Sequence, residues 1–306
     1  MRQEALNHVL NLAQRDSRVV FVGSDLGAGT LAAMQEEFPT RFFMEGIAEQ
    51  YMVGFSAGLA KEGFIPYLNT IGTFFTRRSF EQLSIDVGLH KLPVRILASG
   101  GGMVYAPLGP THTAIEDLAL MLSIPGMKVF CPADAEEMVA VLEYSLTDSS
   151  PIYIRFGKGG EKGVTKEVNQ TVTLPKIFGN KSCEILICTT GIVLQHALDA
   201  KDLLGKYGIE VTIAHFPFLN DLGVDSLKPI LDQNPKIFVA EEHVPVGGLF
   251  TQFLHQFHTV GIDSTGLIQL SLLNEFSHKY GSQIDHLRKN NLTGETMSKF
   301  ILELHK

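Results

Sequence analysis

Short apolar runs alternate with segments of helical periodicity along nearly the whole chain. A strand that is apolar throughout has to be covered on both faces, as in a parallel sheet sandwiched between helices. In the first half the runs are RVVFVGSD (18 to 25), FIPYLNT (64 to 70), PVRILAS (93 to 99), MKVFCP (127 to 132) and PIYIRF (151 to 156). Segments such as IAEQYMVGFSAGLAKEG lie between them, with apolar residues at helical spacing. A polar stretch without a clear period, VTKEVNQTVTLPKIFGNKSC, then interrupts the pattern. The alternation restarts at EILICTT and continues through IEVTIAHF, KIFVAEE and GLIQLSL to an amphipathic helix ending FILELHK. The expected fold class is α/β, with two consecutive parallel-sheet, three-layer (αβα) domains at 1–165 and 178–306 and a linker at 166–177. A length of 306 residues suits two such units, each of about 150 residues.

Composition narrows the partners. A formal charge of −8, with no local run of lysines or arginines, argues against a chain that neutralises nucleic-acid phosphates. The first 18 residues are polar and amphipathic, and no apolar stretch is long enough for a membrane span, so a cytoplasmic location is expected. Cys131, Cys183 and Cys188 sit in or beside strand-like runs and read as core residues. No spacing of His and Cys resembles a metal cage, so no metal ligand is expected from this chain.

Few residues stand out as chemistry on local grounds. Gly100, Gly101 and Gly102 follow a strand but lack the GxGxxG spacing of a dinucleotide site. No serine lies in a GxSxG elbow. His112 is better placed, in LGPTHTAIEDLALMLSIPGM, where a turn at Gly109 and Pro110 precedes a helix expected from Thr113 onward. An imidazole at a helix start suits an anionic ligand. Glu49, in GIAEQ, is a carboxylate at the start of an apolar helix, where capping and dipole stabilisation are the ordinary roles.

Taken together, four segments carry more than any one of them. RFFMEGIAEQYMVGFSAGLAKEGFIPYLNTIGTFFTRRSFEQL, GPTHTAIEDLALMLSIPGMKVFCPADAEE, PIYIRFGKG and IFVAEEHVPVGGLF resemble the transketolase pattern, above all that of transketolases split into two subunits. The resemblance spans most of the chain and runs without a gap from Glu49 to His112. It implies a transketolase-like fold, a pyrimidine-binding domain followed by the transketolase carboxyl-terminal domain. It also implies thiamine diphosphate as cofactor. The diphosphate-binding domain, with its Mg²⁺ ligands, is expected on a partner subunit, in a heterotetramer with two copies of each chain.

By this resemblance Glu49 is the carboxylate that activates the aminopyrimidine, set in an apolar pocket formed by Ile47, Tyr51, Met52 and Val53 that would raise its pKa. Phe74 matches the aromatic residue that stacks on the pyrimidine, and Ile71 stands where a second aromatic is usual. Asp25 matches an aspartate near the cofactor, and Arg78 matches an arginine read as structural. His112 matches the histidine beside the reacting carbon. Three substrate positions depart from the pattern: Gly100 replaces a histidine, Leu108 an aspartate that reads a hydroxyl, and Lys158 a phosphate-binding arginine. Glu45 replaces an aliphatic residue and reads as a solvated or interface carboxylate. His243, in EEHVPVGG, reads as structural.

These substitutions imply two-carbon ketol transfer with a non-standard substrate, less hydroxylated or not phosphorylated. The alternative is a thiamine-diphosphate enzyme that decarboxylates a 2-oxo acid, like deoxyxylulose-phosphate synthase or a dehydrogenase beta chain. A non-catalytic subunit that has kept the fold is a third reading.

Overall fold

The computed structural model describes residues 1–25, 29–166 and 171–305. Part of GSDLGAGT and part of the expected linker therefore lie outside the described residues. In the first half, the strands are β1 (Val19–Gly23), β2 (Phe42–Met44), β3 (Ile65–Ile71), β4 (Arg95–Ser99), β5 (Lys128–Phe130) and β6 (Ile152–Phe156). The helices there are α1 (Arg2–Arg15), α2 (Ala32–Glu37), α3 (Glu49–Lys61), α4 (Gly72–Arg78), α5 (Phe80–Gln82), α6 (Asp117–Leu122) and α7 (Ala135–Thr147), with a π-helical stretch at Leu83–Leu89. The six strands form one sheet in the order β2-β1-β3-β4-β6-β5, every pair parallel.

The period-2 alternation of a strand explains how both faces are covered. Val22, Leu68 and Ile96 point to one face, against Met52 and Val53 of α3 and Leu118 and Met121 of α6. Their neighbours Phe21, Tyr67 and Leu97 point to the other, against Leu6 and Val9 of α1 and Met138 and Val141 of α7. The result is the expected three layers.

The second half contributes β7 (Lys176–Phe178), β8 (Ile185–Thr189), β9 (Val211–His215), β10 (Lys236–Ala240) and β11 (Leu267–Leu270). Its helices are α8 (Val193–Gly205), α9 (Lys228–Leu231), α10 (Leu249–Val260), α11 (Gln283–Lys289) and α12 (Gly294–His305). The sheet order is β11-β10-β8-β9-β7, parallel except that β7 runs antiparallel to β9. One face packs on α8 and α12 through Leu194, Ala197, Met297 and Ile301. On the other face, Leu186, Cys188 and Val239 meet Phe253 and Phe257 of α10 in a core continuous with that of the first sheet.

Two short strands depart from the sequence reading. β2 buries only Phe42, too brief a run to register as a strand. β7 begins at Lys176, inside the stretch expected to be a linker, and its antiparallel pairing gives the second sheet an edge that apolar periodicity does not announce. All three cysteines are buried free thiols. Among the described residues no helix is long and apolar enough to cross a membrane.

Candidate active site

Parallel α/β sheets present ligands at the carboxyl ends of their strands. Asp25 follows β1, Ile71 ends β3 and Phe74 follows it, Gly100 follows β4 and Lys158 follows β6, four adjacent strands of the first sheet. All these candidates therefore share one edge.

The centre of that edge is a chain of contacting side chains. All seven residues of β3 are buried, and the strand passes at Ile71 directly into α4. Phe74 and Arg78 lie one turn apart on α4, so they share a face. The Arg78 guanidinium carbon sits 3.9 Å from the centre of the Phe74 ring. Its Nη1 donates to Glu49 Oε2 at 3.1 Å. Phe74 also meets His112 edge to face, with ring centres 5.2 Å apart and planes at 68°. Glu49, Arg78, Phe74 and His112 are thus brought together from three separate parts of the sequence. Asp25, Leu108 and Lys158 make no hydrogen bond or ion pair with this group among the described residues.

Glu49 is 3% exposed, and while Oε2 is held by Arg78, Oε1 has no partner. A buried carboxylate oxygen without a donor is costly, and Oε1 is left as an open acceptor. The apolar pocket expected around it is only half present. Met52 and Val53 are buried, but Ile47 and Tyr51 project outward at 71% and 56% exposure, and the group facing the carboxylate is a guanidinium. Glu49 lines an open recess with Ala48, Gln50, Arg77 and Arg78.

The setting of His112 also differs from expectation. The helix begins at Asp117, not at Thr113, because Ala114 pairs through its backbone with Gly102 (2.8 and 3.0 Å). His112 therefore rides on a turn, with no helix start beneath it. Its Nδ1 lies 2.8 Å from the Thr111 hydroxyl, and Nε2 has no hydrogen bond among the described residues. Arg77 donates to Pro110 O (2.8 Å), to Thr113 O (3.0 Å) and to both oxygens of Glu116, so α4 also grips the turn that carries His112.

At the altered substrate positions, Gly100 has a φ of +77°, and a Cβ there would run into the Tyr105 ring. The volume a larger residue would need is thus filled from five residues downstream. Gly109, with φ of +81°, is closed off in the same way by Tyr280 of the second half. Leu108 is 52% exposed and Lys158 projects into solvent. Asp25 is exposed, with the Ser24 hydroxyl 3.1 Å from its Oδ1. Sequence reasoning missed Arg77 and Tyr105. Arg77 left one trace, a pair of arginines in an otherwise apolar helix.

The transketolase, pyrimidine binding domain model matches residues 1–160, and the transketolase, C-terminal domain model matches residues 178–269. The chain belongs to the transketolase family. Within this family it is 34% identical to 1-deoxy-D-xylulose-5-phosphate synthase of Syntrophus aciditrophicus over 89% of its own length, but spans only 42% of that synthase. It is 30% identical to an apulose-4-phosphate transketolase subunit of Phocaeicola vulgatus, with 81% of this chain and 80% of the relative covered. A split-gene transketolase solved as an inactive beta4 tetramer superposes with a TM-score of 0.85 at 27% identity, over 99% of this chain and 96% of that one. Campylobacter jejuni transketolase, at 16% identity, has the same fold, with a TM-score of 0.79 over 98% of this chain and 46% of its own.

Transketolase-family enzymes use thiamine diphosphate, and the residues present fit the pyrimidine end of it. Glu49 offers a buried, unpartnered acceptor, and Phe74 offers a half-buried aromatic ring linked to it through Arg78, whose guanidinium lies over the ring. Among the described residues no group of three His, Cys, Asp or Glu side chains could hold a metal ion.

The EEHVPVGG segment lies between the two sheets. Glu241 accepts from Leu249 N (2.6 Å) and Phe250 N (3.1 Å) at the start of α10, and burial pushes its carboxyl up to about 7. Glu242 Oε1 accepts from Met103 N at 2.8 Å, and Arg155 donates to its carbonyl at 2.7 Å. His243 is fully buried, and its Nδ1 lies 2.8 Å from Val244 O, so Nε2 accepts from Ala119 N at 3.4 Å. Burial lowers its pKa to about 4.

Proposed function

We propose that this chain is the pyrimidine-binding subunit of a split thiamine-diphosphate enzyme that transfers a two-carbon unit from a ketose-type donor to an aldehyde acceptor. The observation that carries this reading is the unpartnered Oε1 of buried Glu49, joined through Arg78 to Phe74 and His112. Domain limits of 1–165 and 178–306 accompany it, joined by residues 166–177. The partner supplies the diphosphate-binding domain and the Mg²⁺ ligands, in a heterotetramer of two copies of each chain. Two comparisons support a separate partner: this chain matches the apulose-4-phosphate transketolase subunit over 80% of its length and the split-gene transketolase over 96%, but covers under half of the synthase and of the Campylobacter enzyme.

When bound, thiamine diphosphate supplies a nucleophilic thiazolium carbon. Glu49 presents Oε1 to a pyrimidine ring nitrogen and holds or shares a proton there. Phe74 orients the pyrimidine by stacking, with Ile71 packed at the same strand end and Asp25 at the edge of the site. His112 presents Nε2 to substrate oxygens and moves protons at them. Lys158 attracts an anion as a point charge without the bidentate fork of an arginine. Leu108 offers no hydrogen bond, and Gly100 yields its place to Tyr105, so the donor or acceptor is less hydroxylated than common ketose phosphates.

The synthase relative favours one second reading, decarboxylation of a 2-oxo acid on the same Glu49 machinery. Turnover by the assembled enzyme with less hydroxylated or non-phosphorylated ketoses and with 2-oxo acids separates the two, and ordinary rates with common ketose phosphates would overturn the altered-substrate reading. In either case Glu49→Ala should lower kcat by about 100-fold or more, the scale of a lost acid–base group. Undiminished turnover by that variant would leave the catalytic reading without support.

A further inference from the structure

Arg77 has a larger set of contacts than a surface arginine needs. From α4 it reaches the turn between β4 and α6 and bonds the carbonyls of Pro110 and Thr113, one on each side of His112 in sequence, as well as the Glu116 carboxylate. Its guanidinium carbon also lies 5.9 Å from the centre of the Phe276 ring, contributed by the second half of the chain. His112 has no helix start to fix it, and its only side-chain hydrogen bond among the described residues is to its neighbour Thr111. The backbone around it is held instead by a planar fork whose donors are fixed in direction. Phe74 and Arg77 sit three residues apart on α4, so the same helix sets both the aromatic face and the position of the imidazole beside it.

We propose that Arg77 is a positioning residue for His112: it fixes the 109–116 turn so that the imidazole keeps its place against Phe74. This rests on the reading above, in which His112 acts on the substrate. The charge matters less than the geometry, because two of the acceptors are backbone carbonyls and a single ammonium cannot serve both together with Glu116.

The test uses this chain assembled with its diphosphate-domain partner, thiamine diphosphate and Mg²⁺. Arg77→Ala should lower kcat by about 10- to 100-fold, the cost of misplacing a reacting group by about an ångström, while the apparent KM for the cofactor changes less than about threefold. Arg77→Lys should fall between that variant and the wild type. In the double variant Arg77→Ala/His112→Ala, turnover should be within about twofold of His112→Ala alone, since a group acting only through another costs nothing once that other is gone. In the free chain, Arg77→Ala should shift the His112 ring resonances and speed amide exchange in residues 110–116, a readout independent of activity. Wild-type kcat in Arg77→Ala, additive losses in the double variant, or unmoved His112 resonances would overturn the proposal. Should His112→Ala itself turn over normally, the functional reading falls and this proposal with it. Should His112→Ala be crippled and Arg77→Ala not, only the positioning role falls.

Discussion

At the scale of single residues, Gly100 is the clearest case of a position whose meaning changes between sequence and structure. As a letter in the chain it is a missing histidine. In the fold it is the partner of Tyr105, because the positive φ and the ring together leave no room for a side chain. The space that the resemblance assigns to a histidine side chain is therefore filled here by the Tyr105 ring. Gly100→Ala should destabilise the chain by about 1–3 kcal/mol through left-handed strain and overpacking. Trimming the ring in Gly100→Ala/Tyr105→Ala should recover the overpacking part and leave the strain, giving a total smaller than the sum of the single losses. Urea unfolding of the three variants measures it, and strictly additive losses would show that the ring and the glycine are independent.

At the scale of elements, legibility followed buried surface and hydrogen-bonding habit. The central strands β1, β3, β4, β6, β8, β9 and β10 show as apolar runs because both faces are covered, and three-residue β5 shows because buried Met127 and Cys131 extend its run, whereas β2 and β7 bury one residue each and leave no pattern. The sequence from Thr113 has helical periodicity, yet its first four residues stay out of α6 because Ala114 finds backbone partners in Gly102. Glu49 and Phe74 stand out as candidates through the resemblance, whereas the grip of Arg77 depends on a turn 33 to 39 residues away, which its own neighbours in sequence do not announce. Helix caps divide in the same way. Asp134 caps α7 by accepting from Glu137 N three residues on, a readable spacing, but also takes Val164 N (2.6 Å), Thr165 N (2.7 Å) and the Thr165 hydroxyl (2.7 Å). Because it ties the start of α7 to the chain leaving the first sheet, Asp134→Ala should cost more than an ordinary cap, about 2–4 kcal/mol. Amide exchange should rise together at 135–138 and at 164–165; protection lost at α7 alone would mean that the second set of bonds contributes little.

At the scale of the whole molecule, the two sheets are joined by a shared core and by buried ionisable groups whose pH responses oppose one another. Glu137 of α7 meets Lys176 of β7 at 2.6 Å and His215 of β9 at 2.8 Å, all three buried. Burial alone would raise the Glu137 carboxyl, but the neighbouring His215 and Lys176 side chains hold it down at about 2. Its contribution to stability is present above the ordinary value of 4.5 and is lost as pH falls from there toward 2. His243, ordinarily near 6.5 and lowered to about 4, takes up a proton on unfolding, so its contribution is lost as pH falls from 6.5 to 4. A second ring proton would set Nε2–H against the Ala119 N–H. Glu241, raised from 4.5 to about 7, works in the opposite sense: its contribution is present below 4.5 and is lost as pH rises through 7. Between pH 6.5 and 4.5 the His243 and Glu241 slopes therefore oppose one another, so Glu241 offsets acid loss that His243 alone would cause. Glu241→Gln keeps an acceptor for the start of α10 and removes the offset, so its stability should fall by about 2–3 kcal/mol on acidification from pH 6.5 to 4.5, one proton's slope over that interval. His243→Gln should show the reverse, gaining stability over the same interval. Urea unfolding of the three proteins at pH 6.5, 5.5 and 4.5 decides the matter, and parallel profiles would mean that these groups do not set the acid response of the junction between the sheets.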